Sequence, residues 1–319
     1  MIAFADKLPG TLMAAVRYFD AERSESYIRD IKWPSGPCCP KCGSVNVGEI
    51  KSRAKFQCRE RGCRKQFSMI QGTIMEGTHI PLEKWVVGVW MIVNCRNGVS
   101  SCEIARTLGI KQQSAWHLLH RVRHIMQQDN AEKLGTRGGV VECDSTYVGG
   151  LLKFMSAERA NRAKMSGRPN GKVEVHAIKE RRTGTIRASV VPCDASRFAA
   201  EDIMENVERG ARIYTDAGAA YRWLDGSWYQ HESVNHGAQE YARGTVHVNG
   251  CENFFNCLRR GIKGTYVCPS PEHLPAYVDE QVFRFNNRKE SDWERFDRVM
   301  HRIVGKRLTY SDLTDGATR

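Results

Sequence analysis

The sequence predicts an α/β fold: a mixed five-stranded sheet with helices, preceded by a small cysteine-stapled module and an all-helical module. Three observations carry this expectation. Strand-like runs alternate with helical stretches through the second half of the chain. Two close cysteine pairs lie near the N-terminal end. Between these pairs and the second half, from Pro81 to about Gln128, apolar residues recur at helical spacing.

The chain has 319 residues, enough for two or three domains, and 41% of them are hydrophobic, so a core can form. Its 48 Lys and Arg against 36 Asp and Glu leave a net charge of +12, which favours a polyanionic partner. No apolar run approaches the roughly 18 residues of a membrane span, and "MIAFADKLPG" lacks the basic-then-apolar order of a secretory signal. A cytoplasmic protein is therefore expected, and its twelve cysteines are expected to serve a metal site before disulfides.

Residues 1–35 read as an N-terminal helical segment. Residues 36–72 hold Cys39-x2-Cys42 and Cys58-x4-Cys63, with fifteen residues between the pairs. Structural Zn²⁺ takes four thiolates from two tight turns, and Pro40 and Gly43 suit the first of them. The segment between the pairs supplies strands for a zinc ribbon, and Cys38 is left over. Arg64 and Lys65 belong to a crowd of cations around the ribbon that are candidate phosphate contacts.

Residues 73–135 read as a helical, helix-turn-helix-like domain that binds DNA. "PLEKWVVGVWMIVNC" is an apolar core helix. Ser100 or Ser101 caps a short helix through Thr107, Leu108-Gly109-Ile110 turns, and a second helix begins near Gln112. Its leading residues Lys111, Gln112, Gln113 and Ser114 all carry groups that hydrogen-bond to DNA. An ordinary helical hairpin gives the same pattern.

After the "GTRGG" linker, residues 139–290 form the third domain. Val140 to Val148 is a strand, a long basic loop follows, and two strands flank the turn "RRTG". A helix over about 196–208 leads to "ARIYTDAGAAY", a strand ending at Asp216. A short helix, a strand near Trp228 to Val234 and the helix "VNGCENFFNCLRRGI" complete the order β-β-β-α-β-α-β-α. That is the ribonuclease H-like order, in which the first strand lies beside the fourth. Asp144, Asp216 and Glu252 then occupy three places from which carboxylates converge. Such a cluster implies Mg²⁺ or Mn²⁺, and a pair of these ions serves phosphoryl transfer. Glu142, Asp194, Asp202, Asp225 and Glu240 are rival acids, and Glu142 shares the strand face of Asp144.

The blocks "IKWPSGPCCPKCGS", "CRKQFSMIQGTIMEGTHIPLEKW", "VECDSTYVGG", "IYTDAGAAY" and "VHVNGCENFFNCLRRGIKGTYVCPSPEHLPAYVDEQVFRFNNR" resemble the IS1595 family of DDE transposases, whose catalytic domain is of the ISXO2-like type. The resemblance spans nearly the whole chain. It implies a prokaryotic, nucleoid-associated enzyme that binds the terminal inverted repeats of an insertion sequence. Such an enzyme cleaves double-stranded DNA at the element ends and joins the 3′-hydroxyls to target DNA. Holding two ends together implies a homodimer or higher oligomer. By the same resemblance Asp144, Asp216 and Glu252 are the acidic triad, and Arg259, seven residues after Glu252 on the same helix, is a basic partner. Asn249 is a rival for the third position, because some relatives carry asparagine there. Ser145 stands where family members often have glutamate.

On this reading Lys164, Arg168 and Lys172 in the basic loop and Arg260 and Lys263 after the triad grip DNA backbone. Residues 271–288 are expected as a helix on the catalytic domain, and 291–319 as a C-terminal tail. A non-catalytic DNA-binding regulator and a ribonuclease H-like nuclease derived from a transposase are the alternatives. An enzyme using the cysteine zinc is disfavoured, since four thiolates close the metal shell.

Overall fold

The computed structural model describes residues 8–127, 132–149, 156–165, 171–191, 195–267 and 269–314. Along the chain run α1 (Leu12–Tyr18), α2 (Ala21–Lys32), β1 (Val47–Ile50), β2 (Lys55–Cys58), β3 (Gln66–Ser68), α3 (Leu82–Asn94), α4 (Ser101–Leu108) and α5 (Gln112–Ile125). Then come β4 (Val140–Val148), α6 (Ala157–Met165), β5 (Val173–Glu180), β6 (Ile186–Val190), α7 (Ala195–Asn206), β7 (Arg212–Asp216) and β8 (Gln230–Val234). The chain closes with α8 (Asn249–Gly261), α9 (Leu274–Asn286), α10 (Asp292–Met300) and α11 (Tyr310–Thr314). Two compact units result: 1–126 with 289–319, and 127–288. No helix among the described residues is long and apolar enough to cross a membrane.

In the first unit β1, β2 and β3 form an antiparallel sheet. Trp33 packs edge-on against Phe56 and Phe67 of that sheet, with centroids 5.1 and 6.0 Å away. In α3 every residue from Trp85 to Val93 is buried. Ser100 accepts a hydrogen bond from the Glu103 N–H at 3.1 Å and so starts α4. Gly109, at φ +60°, stops it in the left-handed conformation that glycine adopts without strain. Leu119, Val122 and Ile125 of α5 are buried at the expected helical spacing.

The sequence reading of residues 291–319 as a tail needs correction. Helix α10 opens with a full capping box from Ser291 and Glu294, and it buries Phe296, Val299 and Met300. Phe296 meets Trp90 of α3 at 5.2 Å, Trp293 stacks on Phe19, and the Tyr27 hydroxyl donates to Asp297 at 2.7 Å. An aromatic cluster distributed over α1, α2, α3 and α10 cannot be seen in any local stretch of sequence. For the same reason the reading separated 1–35, 36–72 and 73–135, which pack as one unit with this C-terminal segment.

The second unit is built on a sheet in the order β6-β5-β4-β7-β8. The β4–β5 and β5–β6 pairs are antiparallel, and β4–β7 and β7–β8 are parallel. The first strand of the sheet therefore lies beside the fourth, as the element order implied. Alternation along the strands divides the core into two layers. Val141, Cys143, Ile178 and Ile213 pack with Ala199 and Ile203 of α7. Val148, Val175, Ala177 and Ala188 pack with Phe254, Phe255 and Leu258 of α8 and Val278 and Val282 of α9. The basic loop after β4 contains a helix, α6, that the sequence reading did not foresee.

Candidate active site and cysteine centre

The cysteine centre is the simpler of the two. The sulfurs of Cys39, Cys42, Cys58 and Cys63 all lie within 4.8 Å of one another. Cys39–Cys63 and Cys42–Cys58 are each 3.6 Å apart, too far for a disulfide. They match the edge of a tetrahedron with bonds of about 2.3 Å to a central Zn²⁺. Gly43, at φ +73°, makes the first knuckle, and the Lys41 N–H points at Cys39 Sγ from 3.4 Å. Burial pushes the Cys58 thiol up to about 12, and the three neighbouring thiols push the same way. At Cys39 burial is outweighed by the backbone N–H groups of Cys42 and Lys41, which bring that thiol down to about 7. Ionising all four together calls for a cation among them. Cys38 is outside the group.

The acidic site stands midway along β4 and at the C-terminal end of β7. Their parallel register pairs Cys143 with Thr215, so Asp144 and Asp216 stand side by side one step further on. Both project to the α8 side, since the alternate residues Val141, Cys143 and Ile213 face α7. Asp144 is only 9% exposed. Burial first, then the charges of Asp216 and Glu252, raise its carboxyl to about 7 against the opposite pull of the Ser145 N–H and Arg259. The site thus brings Asp144, Asp216, Glu252 and Arg259 into one electrostatic neighbourhood. The Ser145 N–H donates to Asp144 Oδ1 at 2.8 Å. The Gly218 N–H donates to Asp216 Oδ1 at 3.2 Å, and a β-carbon at Gly218 would stand 2.8 Å from that oxygen. Among the described residues the cysteines alone form a tight set of three or more metal donors. The carboxylates of Asp144, Asp216 and Glu252 are more widely set.

Helix α8 reaches this site because of Glu142. That carboxylate, 1% exposed, accepts from the Gly250 N–H at 2.7 Å and from Arg181 Nε at 2.6 Å. It closes an otherwise open donor in the first turn of α8. Arg181 also donates to the His247 carbonyl at 2.7 Å and lies over the Tyr214 ring at 4.8 Å. The N-cap is Val248 without any side-chain bond, so Asn249 does not cap the helix; it is exposed in the first turn. Glu252 is half-buried one turn on, and Arg259 donates to Thr146 of β4, on the strand face of Asp144.

The rival acids have structural partners. Glu142 has Arg181 and α8, Asp202 accepts from His176 at 2.5 Å, Asp225 pairs with His231 at 2.7 Å, and Glu240 accepts from the Asn235 N–H at 3.2 Å. Asp194 is outside the described residues. Sequence reasoning missed Arg181, Gly218 and Thr146; the arginine stands in the "ERRTG" turn, where it reads as a solvated charge.

The expected DNA contacts are scattered over both units. Lys111 and Gln113 are exposed at the start of α5, Ser114 is half-buried, and the Gln112 amide donates to Ser101 Oγ at 2.7 Å. Arg64, Lys65, Lys164, Arg260 and Lys263 are exposed and Lys172 is half-buried. Arg168 lies outside the described residues.

Comparison with known proteins decides the family. The ISXO2-like transposase domain matches residues 137–286, and the transposase zinc-ribbon domain of the same family matches residues 20–66. The chain belongs to the IS1595 family of transposases. An uncharacterized protein in transposable element ISH50 of Halobacterium salinarum is 26% identical over 289 residues, covering 85% of this chain and 95% of that protein. A chain of a simian T-cell lymphotropic virus intasome bound to the PP2A regulatory subunit B56 gamma is 12% identical. That alignment covers 61% of this chain and 65% of the other, with a TM-score of 0.29, too low to bear on the argument. The IS1595 chain described here thus has a zinc-ribbon module with its cysteine cluster and a transposase domain around Asp144.

Proposed function

We propose that this chain binds the terminal inverted repeats of an insertion sequence, cleaves the DNA at the element ends and joins the freed 3′-hydroxyls to target DNA in a prokaryotic cytoplasm. The second unit is read as a ribonuclease H-like domain. The supporting observation is the state of Asp144, a buried carboxyl crowded by two others, while Glu142, Asp202, Asp225 and Glu240 have structural partners. A buried charge left in that condition marks a functional site.

Asp144, Asp216 and Glu252 are hard oxygen donors suited to Mg²⁺ or Mn²⁺. When bound, the metal supplies the positive charge that activates the attacking oxygen and steadies the departing 3′-oxygen. The protein's own part is placement. Gly218 leaves room for the Asp216 carboxylate, Glu142 and Arg181 fix the first turn of α8, and Thr146 holds Arg259 beside the site. From there the guanidinium binds a phosphate of the DNA end. In the second unit Arg260, Lys263, Lys164 and Lys172, with Arg168 read from the sequence, bind DNA backbone; in the first unit Arg64 and Lys65 do so from the ribbon, and α4–α5 reads the element's end through Lys111, Gln113 and Ser114. Two ends are held by a homodimer or larger assembly.

The test is a cleavage and strand-transfer assay on DNA carrying the element's own ends with Mg²⁺. Wild type is expected to cut and join, and Asp144→Asn and Glu252→Gln to do neither. Activity retained in Glu252→Gln and lost in Asn249→Ala transfers the third role to Asn249. Tight, specific binding without cleavage under any divalent metal makes the chain a regulator.

A further inference from the structure

The C-terminal segment does more than fill the first unit. It leaves α10, pairs with 72–74 and then runs along α5. The Ile74 N–H donates to the Ile303 carbonyl and the Gly305 N–H to the Gly72 carbonyl, both at 2.9 Å, and Thr73 bridges Val304. Further on, Arg121 Nε of α5 donates to the Leu308 carbonyl at 3.0 Å. Tyr310 packs edge-on against His117 at 5.9 Å and Trp116 at 6.3 Å. Lys306 and Arg307 stand between these anchors and are exposed.

This arrangement crowds like charges. His117, Arg121 and His124 lie at i, i+4 and i+7 on one face of α5. The segment laid against that face adds two more cations. Burial and then Arg307 lower Arg121, and burial and then Lys306 lower His124. Two acids temper the crowding, Glu76 acting on Arg121 and Asp312 on His124 and Arg307, and each also accepts a backbone hydrogen bond. Glu76 accepts from the Gly72 N–H at 2.7 Å, and Asp312 accepts from the Thr309 N–H at 2.7 Å. Among the described residues neither Lys306 nor Arg307 has an ion pair. Two acids against five basic groups leave this face with an excess of positive charge, which suits an anion from outside.

Its position identifies the anion. From Gln113 to His124 the helix advances roughly 16 Å, at about 1.5 Å per residue. The DNA major groove is only about 12 Å wide. With the start of α5 at the base edges, the far half of the helix and the segment beside it meet the sugar-phosphate backbone. We propose that Gly305–Arg307 is a phosphate-gripping arm of the DNA-binding module, with Lys306 and Arg307 as its contacts and Arg121 and Tyr310 as the residues that hold it. This rests on the reading of α4–α5 as the DNA-binding helices.

The experiment uses the full chain and two fluorescent duplexes of equal length, one selected by the wild-type protein from a random pool and one scrambled. Binding is titrated at several salt concentrations. Lys306→Ala with Arg307→Ala is expected to weaken both duplexes alike and to lower the slope of log affinity against log salt by about two. The fall in affinity between 50 and 200 mM salt then becomes about twelvefold smaller than for wild type. Lys306→Arg with Arg307→Lys keeps both slope and affinity. Gln113→Ala is expected to reduce discrimination between the duplexes with the slope unchanged. An unchanged slope in the double alanine variant overturns the arm, as does a loss confined to the selected duplex. Intact discrimination in a Lys111→Ala, Gln113→Ala, Ser114→Ala variant overturns the helix-turn-helix reading instead. The two failures are therefore distinguishable, and both charges are exposed, so neither substitution removes a core contact.

Discussion

Replacing Asp144 by Asn is expected to stabilise the protein while abolishing its chemistry. The folded chain holds this carboxyl near 7 against an ordinary value of 3.8. Burial is the chief cause, and the charges of Asp216 and Glu252 add to it. A raised folded-state value means that the protonated form favours folding. The associated stability is complete below about pH 4, declines as pH rises, and is gone above about pH 7. At 1.36 kcal/mol per pH unit the difference amounts to about 4 kcal/mol. The amide of the Asp144→Asn variant is neutral at every pH and nearly isosteric, so at pH 8 the variant gains up to that amount. The assay is urea unfolding of the full chain in magnesium-free buffer at pH 5 and pH 8, followed by the near-ultraviolet signal of the second unit. No chelator is used, because one would strip the cysteine centre. The variant is expected to gain several kcal/mol on wild type at pH 8 and much less at pH 5. Addition of Mg²⁺ should stabilise wild type and leave the variant unmoved. A variant less stable than wild type at pH 8 would refute the reasoning, for Asp144 would then be a satisfied structural residue.

Three further outcomes are expected. Glu142→Ala, two residues away on the same strand face, should change stability in the opposite direction. It takes the carboxylate from half-buried Arg181, which keeps its bonds to the Thr245 and His247 carbonyls, and leaves the Gly250 N–H unpaired, at a cost of about 1–3 kcal/mol in urea unfolding; a neutral effect would show that α8 is anchored by its apolar face alone. Gly218→Ala places a methyl 2.8 Å from Asp216 Oδ1, so strand transfer should fall at least tenfold with little loss of stability, and wild-type activity would count against the placement of Asp216. Stripping Zn²⁺ at neutral pH should unfold the ribbon and expose Trp33, read as the emission difference between wild type and Trp33→Phe, while the second unit's unfolding midpoint holds; an unshifted Trp33 would show that the sheet stands without metal.

Much of this was legible in the sequence where the signal is local. The Cys39 and Cys42 knuckle, the Ser100 cap, the Gly109 stop and the strand Val140–Val148 each depend on a few adjacent residues, and the structure has them where the sequence put them. Long-range pairing was beyond reach. Helix α10 has a strong capping box, yet its aromatic partners lie some 200 to 280 residues earlier, at Phe19, Tyr27 and Trp90. The role of Glu142, which the sequence could offer only as a rival to Asp144, was illegible for a related reason. Both are buried acids on one face of one strand, and only Arg181, brought over from the β5–β6 turn, separates them.

That separation explains how a strand tolerates two buried carboxylates so close together. Each carries a desolvation cost that the surroundings must offset. Glu142 is offset within the fold, by a guanidinium and by the positive end of α8, and in return it fixes the turn from which Glu252 projects. Asp144 has the Ser145 N–H and the distant pull of Arg259, against two carboxylates pushing the other way. On the proposed function its charge is left for a ligand to complete, and a divalent cation would offset all three acids at once. The structural acid and the functional acid are thus coupled through α8: loss of Glu142 should weaken divalent-metal binding as well as the fold, while loss of Asp144 should weaken metal binding alone. Calorimetric titration of Mg²⁺ or Mn²⁺ into the conservative variants Glu142→Gln and Asp144→Asn separates the two. A Glu142→Gln variant that binds metal as well as wild type would break the link between the anchoring of α8 and the site.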